Sequence, residues 1–196
     1  MENKYFLSKD ELVRLLENNF NPIDINDIIS AYDIADQAYG GKKALSGQPY
    51  FFHTTRVIKI LIEELFIKES NLIIAALLHD INKTSADISD EIINYNFNPY
   101  VTKLINILKE DYEYIERNQH LLKEFNLNEL QDDYLIIWLA EHLDNLRYPA
   151  VTPELNPLNY VLNVSAYYFP ISKNSNSPIV KYLISELQKE KNKILS

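Results

Sequence analysis

A chain of 196 residues with 46% hydrophobic and 24% charged content is long enough to bury a sizeable core and has the composition of an ordinary globular domain. Only 3 glycines argue for helices over a turn-rich β architecture, and the absence of cysteine excludes disulfides, thiolate metal sites and cysteine catalysis. A net charge of −9 with no basic face argues against nucleic acid as a partner; no window reaches the length of a membrane span and no signal peptide is visible, so a cytoplasmic protein is expected.

Ser8-Lys9-Asp10-Glu11 has the Ser-x-x-Glu form of a capping box, and Leu12, Leu15 and Leu16 follow at helical spacing, predicting a first helix to about Asn19. Asn21-Pro22 breaks it. A second helix is predicted from about Asp24 to Tyr39, with Ile25, Ile28, Ile29, Tyr32, Ala35 and Ala38 inward. Gly40-Gly41 ends it, and residues 42–52 form a loop. His53 opens the next helix, with Val57, Ile60, Leu61 and Leu65 spaced for burial, and Ser70 is placed as the cap of the one after. Two shorter helices meet near Asn98-Pro99. The polar segment 111–124 reads as helical, and a strong helix spans about Glu129 to Arg147. Pro149, Pro153 and Pro157 impose an extended stretch. A helix over about 159–168, a loop over 173–178 and a last helix over about 179–193 complete the chain. With no repeat and no strand alternation, the expectation is an all-α single domain over 1–196, its core over about 24–170.

One stretch stands out for its chemistry. The apolar run Leu72 to Leu78 ends abruptly in His79-Asp80. A carboxylate at the end of a buried helix is costly unless something pairs with it, and adjacent His and Asp side chains can chelate a divalent metal. The dipeptide alone favours a helix end whose His and Asp simply face water, so the matter rests on what else converges. His53 begins one helix, and Glu141, Asp144, Asn145 and Tyr148 share one face of the long helix at i, i+3, i+4 and i+7. Two imidazoles and two carboxylates suit Mn²⁺, Fe²⁺ or Zn²⁺ better than the all-oxygen preferences of Ca²⁺ or Mg²⁺.

These residues resemble the HD superfamily of metal-dependent phosphohydrolases, and within it the (p)ppGpp hydrolase domain of the RelA/SpoT group and the stand-alone small alarmone hydrolases. The likeness covers most of the chain. It includes Ser46-Gly47-Gln48-Pro49-Tyr50-Phe51-Phe52-His53, Ala75-Ala76-Leu77-Leu78-His79-Asp80 and Leu139-Ala140-Glu141-His142-Leu143-Asp144-Asn145-Leu146-Arg147. The resemblance implies an HD-type helical fold, with a Mn²⁺-type ion held by His53, His79, Asp80 and Glu141, the last standing where the family has an aspartate. Asp144, one turn on, competes for that place and is otherwise the carboxylate closest to a catalytic role. Ser46 and Asn145 fall on positions that contact nucleotide in the family, with Lys43, Tyr50 and Arg147 as further substrate contacts. A small phosphorylated nucleotide is the implied partner, and the oligomeric state stays open.

The departures are local. Ala44 replaces an arginine before the Ser-Gly element, and Lys83-Thr84 replaces a Glu-Asp pair that positions water. His79-Asp80-Ile81-Asn82-Lys83 is similar instead to the His-Asp-Ile-x-Lys motif of other HD phosphohydrolases, including the cyclic-dinucleotide phosphodiesterases of the HD-GYP group. There the lysine faces the scissile phosphate, which gives Lys83 a catalytic role by analogy. Three readings result: a phosphohydrolase, a degenerate HD domain that binds without turnover, and a metal-free helical interaction domain.

Overall fold

A computed structural model describes residues 6–43, 47–81, 88–115, 131–148, 161, 165–166, 169, 172–173 and 175–196. Among these the protein is helical throughout, and its only strand-like feature is an isolated antiparallel bridge between Lys43 and Pro49. The fold is all-α. The chain divides into two compact units, Met1–Lys109 and Glu110–Ser196.

The first unit begins with α1 (Lys9–Glu17), whose capping box is complete: the Ser8 hydroxyl accepts from the Glu11 amide and the Glu11 carboxylate accepts from the Ser8 amide. The Ser8 hydroxyl and amide together hold the Glu11 carboxyl below its ordinary pKa. Helix α2 (Pro22–Tyr39) starts two residues earlier than its hydrophobic pattern indicated. Pro22 does not break the chain there but opens the helix, because the Asn21 side chain accepts from the Ile23 and Asp24 amides and proline suits a first-turn position that needs no donor. Its buried face is Ile28, Ala31, Tyr32, Ala35, Ala38 and Tyr39, while Ile25 and Ile29 remain half-buried.

Helix α3 (Phe51–Lys59) opens at Phe51, so His53 lies within its first turn. It runs directly into a π-helical turn, Ile60–Glu64. Phe66 then takes a left-handed conformation, φ +53°, that glycine more often fills at a helix end. This reversal lets the Ile67 amide donate to the Leu61 carbonyl at 3.0 Å and returns Ile67 to the core.

Helix α4 (Ser70–Leu78) is apolar on all sides, with Leu72 through Leu78 buried. Ser70 is not its cap: Glu69 precedes the first turn, and the Ser70 hydroxyl donates to Asp24 of α2 at 2.8 Å. Helices α2 and α3 both pack on α4, and α1 packs on α2. The rest of this unit is α5 (Asp90–Asn96) and the start of α6 (Pro99–Ile115). Asn98 joins them, its side-chain oxygen accepting from the Val101 amide while its nitrogen donates to Asn71. Ile93, Val101, Leu104, Ile105 and Leu108 are buried, whereas Ile92 is 42% exposed.

The second unit is built on α7 (Gln131–Arg147) and α8 (Pro178–Leu195), which pack against each other. Pro178, expected at the end of a loop, is the first residue of α8, capped by the Ser177 hydroxyl. From Tyr134 to Asp144 every residue of α7 is buried, including Trp138, the only tryptophan. On α8 the buried residues are Val180, Leu183 and Leu187. Arg147 reaches Glu186 at 3.5 Å and Glu190 at 3.9 Å. Most of the helix expected over 159–168 lies outside the described residues, as does segment 116–130.

Candidate metal centre

In the first unit, α3 and α4 bring His53 and His79 together. The packing of α3 on α4 is driven by Val57, Ile58 and the Leu72–Leu78 run, all buried. The imidazoles meet edge to face, centroids 5.7 Å apart, and they present ligand nitrogens within 4.8 Å of one another. Both histidines and Asp80 are more than nine-tenths buried.

Each group is held by a neighbour. His79 Nδ1 lies 2.8 Å from the Ala76 carbonyl oxygen. A carbonyl only accepts, so Nδ1 carries a proton, and in the neutral ring Nε2 then keeps its lone pair. That is the tautomer a metal-ligating histidine needs, fixed by a backbone partner. Nε2 lies 3.3 Å from Asp80 Oδ2. Ligand atoms bound to one ion at about 2.1 Å sit roughly 3.0–3.4 Å apart. The donor set of this helix end therefore fits a divalent transition metal.

The electrostatics point the same way. Asp80 follows the C-terminus of α4, where the helix dipole disfavours an anion, and its carboxylate is also buried. The Tyr50 hydroxyl donates to Asp80 Oδ2. Behind it lies Tyr39, whose hydroxyl donates to the Leu77 carbonyl at 3.2 Å. Burial, and after it the charge of Asp80, push the Tyr39 phenol well above its ordinary pKa.

The loop before α3 is shaped to deliver Tyr50 and His53. Its Tyr50 amide donates to the Lys42 carbonyl at 2.9 Å, beside the Lys43–Pro49 bridge. Gly47 sits at φ +81°, where a side chain would be strained. Lys43 is exposed on that bridge. Ser46, and the segment 82–87 that contains Lys83, lie outside the described residues.

In the second unit, Glu141 and Asp144 are buried on one face of α7, with Asn145 half-buried beside them. The Tyr148 amide donates to the Asp144 carbonyl at 2.9 Å, extending that face past the helix end. Arg147, expected to bind substrate, faces the acidic side chains of α8. His142 packs against Trp138 with tilted rings, centroids 5.3 Å apart, and Trp138 against Tyr134 at 5.2 Å, which suits a structural role for that histidine.

Sequence reasoning placed the ligand candidates of the first unit and missed Tyr39. Nothing in the local pattern could have found it, because its partner is 38 residues away.

The profile of the HD domain family matches residues 31–173. Among relatives, a probable guanosine-3′,5′-bis(diphosphate) 3′-pyrophosphohydrolase of Mycoplasma pneumoniae is 30% identical over 140 residues, covering 65% of this chain and 19% of that protein. A GTP pyrophosphokinase rsh of Brucella ovis is 28% identical over 172 residues, covering 84% of this chain and 22% of that one. The chain thus spans about a fifth of the length of these relatives. Among solved structures, a metazoan ortholog of SpoT, described as hydrolysing ppGpp, superposes with a TM-score of 0.62 at 22% identity, covering 83% of this chain and 94% of that one. At that identity the likeness is one of fold.

Proposed function

The chain belongs to the HD domain family, and from that premise we propose that it is a metal-dependent phosphohydrolase acting on a small phosphorylated nucleotide, with guanosine 3′,5′-bis(diphosphate) as the reference substrate. One observation carries this reading: a buried His-Asp pair whose histidine is held in the ligating tautomer, beside a second buried histidine. The names of the relatives supply the substrate class. The family match draws on both compact units, which supports reading 1–196 as one HD domain.

In this reading His53, His79, Asp80 and Glu141 hold the ion, for which Mn²⁺ is our choice. When bound, it supplies Lewis acidity and lowers the pKa of water towards neutrality. The protein's own residues do the rest. Asp144 accepts a proton from the attacking water, and its complete burial keeps it from being screened. Water adds to the phosphorus as the bond to the ribose 3′ oxygen breaks, and the proton accepted by Asp144 passes to that leaving oxygen, releasing pyrophosphate and a 3′ hydroxyl. Lys83 neutralises charge developing on the phosphoryl oxygens. Lys43 joins it in holding the phosphates, Ser46 and Asn145 orient the nucleotide, and Arg147 assists from beside α8. Among the described residues no helix is long and apolar enough to cross a membrane, which is compatible with the cytoplasmic location we assign.

The test is a purified chain reloaded with Mn²⁺ and offered this substrate and a panel of other phosphorylated nucleotides. Pyrophosphate or phosphate release that disappears in His79→Ala and Asp80→Ala is expected. A second reading, a domain that binds without turnover, is favoured by Ala44 and by Lys83-Thr84 where the resembled hydrolases carry an arginine and a Glu-Asp pair. Metal-loaded protein silent across the whole panel would establish it.

A further inference from the structure

Tyr50 is expected from the sequence to contact substrate, but its hydroxyl is engaged elsewhere. It donates to Asp80 Oδ2, the same oxygen that lies 3.3 Å from His79 Nε2. Oδ2 is therefore the carboxylate oxygen turned towards the histidine's ligating nitrogen. A hydrogen bond to that oxygen fixes the carboxylate rotamer and lowers the penalty of keeping an anion buried at the negative end of a helix.

Tyr50 is itself fixed on every side. Its backbone amide is bound to Lys42, and its carbonyl accepts from the His53 amide at 3.1 Å. Its ring packs on Tyr39 with centroids 5.6 Å apart and meets the His53 ring edge-on at 6.4 Å. A phenol with so little rotational freedom acts as a fixed donor, and it sits 30 residues from the carboxylate it holds.

We infer that Tyr50 is a positioning residue for the candidate metal centre: its hydroxyl aims the Asp80 carboxylate so that Oδ2 stays turned towards His79 Nε2, where the two would serve one ion. The inference rests on the metal-binding reading of the site and adds a residue to it. The oxygen of Tyr50 is not a ligand; it acts through Asp80. Partners of this kind typically change metal affinity about 10–100-fold when removed.

Tyr50→Phe keeps the ring and its packing and removes only the donor. The full-length chain, stripped with chelator, is titrated with Co²⁺ and followed by its visible absorption, with wild type and His79→Ala run alongside. Wild type should bind one equivalent and His79→Ala none. Tyr50→Phe should bind about 10–100-fold more weakly and with an altered visible band, while its stripped form melts within a few degrees of wild type. Unchanged affinity and spectrum in Tyr50→Phe, with wild type binding normally, would overturn the positioning role and leave the metal site standing. Equal losses of affinity and of metal-free stability would assign Tyr50 to packing instead and overturn it too. No Co²⁺ uptake by wild type would remove the metal reading and this inference together.

Discussion

Helices α4 and α7 are both buried along nearly their whole length, yet they handle polar groups in opposite ways. Helix α4 is apolar from Leu72 to Leu78 and keeps its chemistry beyond its last turn, at His79 and Asp80. Helix α7 carries Glu141, His142 and Asp144 inside its helical run, among buried leucines. At a helix end the last carbonyls have no intrahelical donor, so side chains can bind them. The Ala76 and Leu77 carbonyls are used in this way by His79 and Tyr39. Within α7 the backbone is occupied by its own ladder, and buried side chains must be satisfied by other side chains, solvent or ions. The lesson is that α4 can set up its polar groups with backbone help, whereas the acids of α7 depend on what their side chains meet.

The largest expected effect tests the end of α4. His79→Ala should lower Mn²⁺-dependent turnover more than about 100-fold, beyond what loss of an outer partner produces, as followed by pyrophosphate release. The comparison sharpens on α7, where two acids compete. Glu141→Ala should abolish metal uptake, whereas Asp144→Asn should retain it and lose turnover, read by metal analysis beside the activity assay. The reverse pattern would make Asp144 the ligand.

Stability separates the two helices further. Leu77→Ala removes side-chain volume from the fully buried part of α4 and should cost about 2–5 kcal/mol in urea unfolding. Tyr39→Phe should cost less, about 1 kcal/mol, for one lost hydrogen bond to the end of α4. Its signature is in pH. The folded-state pKa of Tyr39 is raised, so its contribution is complete below the unfolded value of about 10 and is lost as pH climbs from there towards the folded value. The gap between wild type and Tyr39→Phe should therefore narrow as pH rises past about 10.

Arg147→Ala should have the smallest effect, about 0–1 kcal/mol, because its contacts with Glu186 and Glu190 are partly solvated. A larger loss would mean that the ion pairs, and not Leu183 and Leu187, fasten α8 to α7.

These same elements show what a sequence discloses. Ser8 and Glu11 announced α1 because both partners of the capping box lie within one turn. The apolar run before His79 announced α4 because burial on every side leaves no polar stripe. The π turn at Ile60–Glu64 escaped because Ile60, Leu61 and Leu65 remain compatible with an ordinary helical face. Ser70 was misplaced as a cap because its real partner, Asp24, is 46 residues away. At the candidate site, His53, His79 and Asp80 were recognisable from adjacency and family likeness, since ligand chemistry restricts which residues can serve. The Tyr39 and Tyr50 hydroxyls were not, since a tyrosine's target is set by tertiary packing and leaves no periodic trace.

The hydrogen bond from His79 Nδ1 to Ala76 joins two residues of the same helix end, three positions apart. Its geometry is therefore local and forms whenever that last turn forms. The ring of His79 is thus oriented by the chain itself, and the conformational entropy of fixing it belongs to folding.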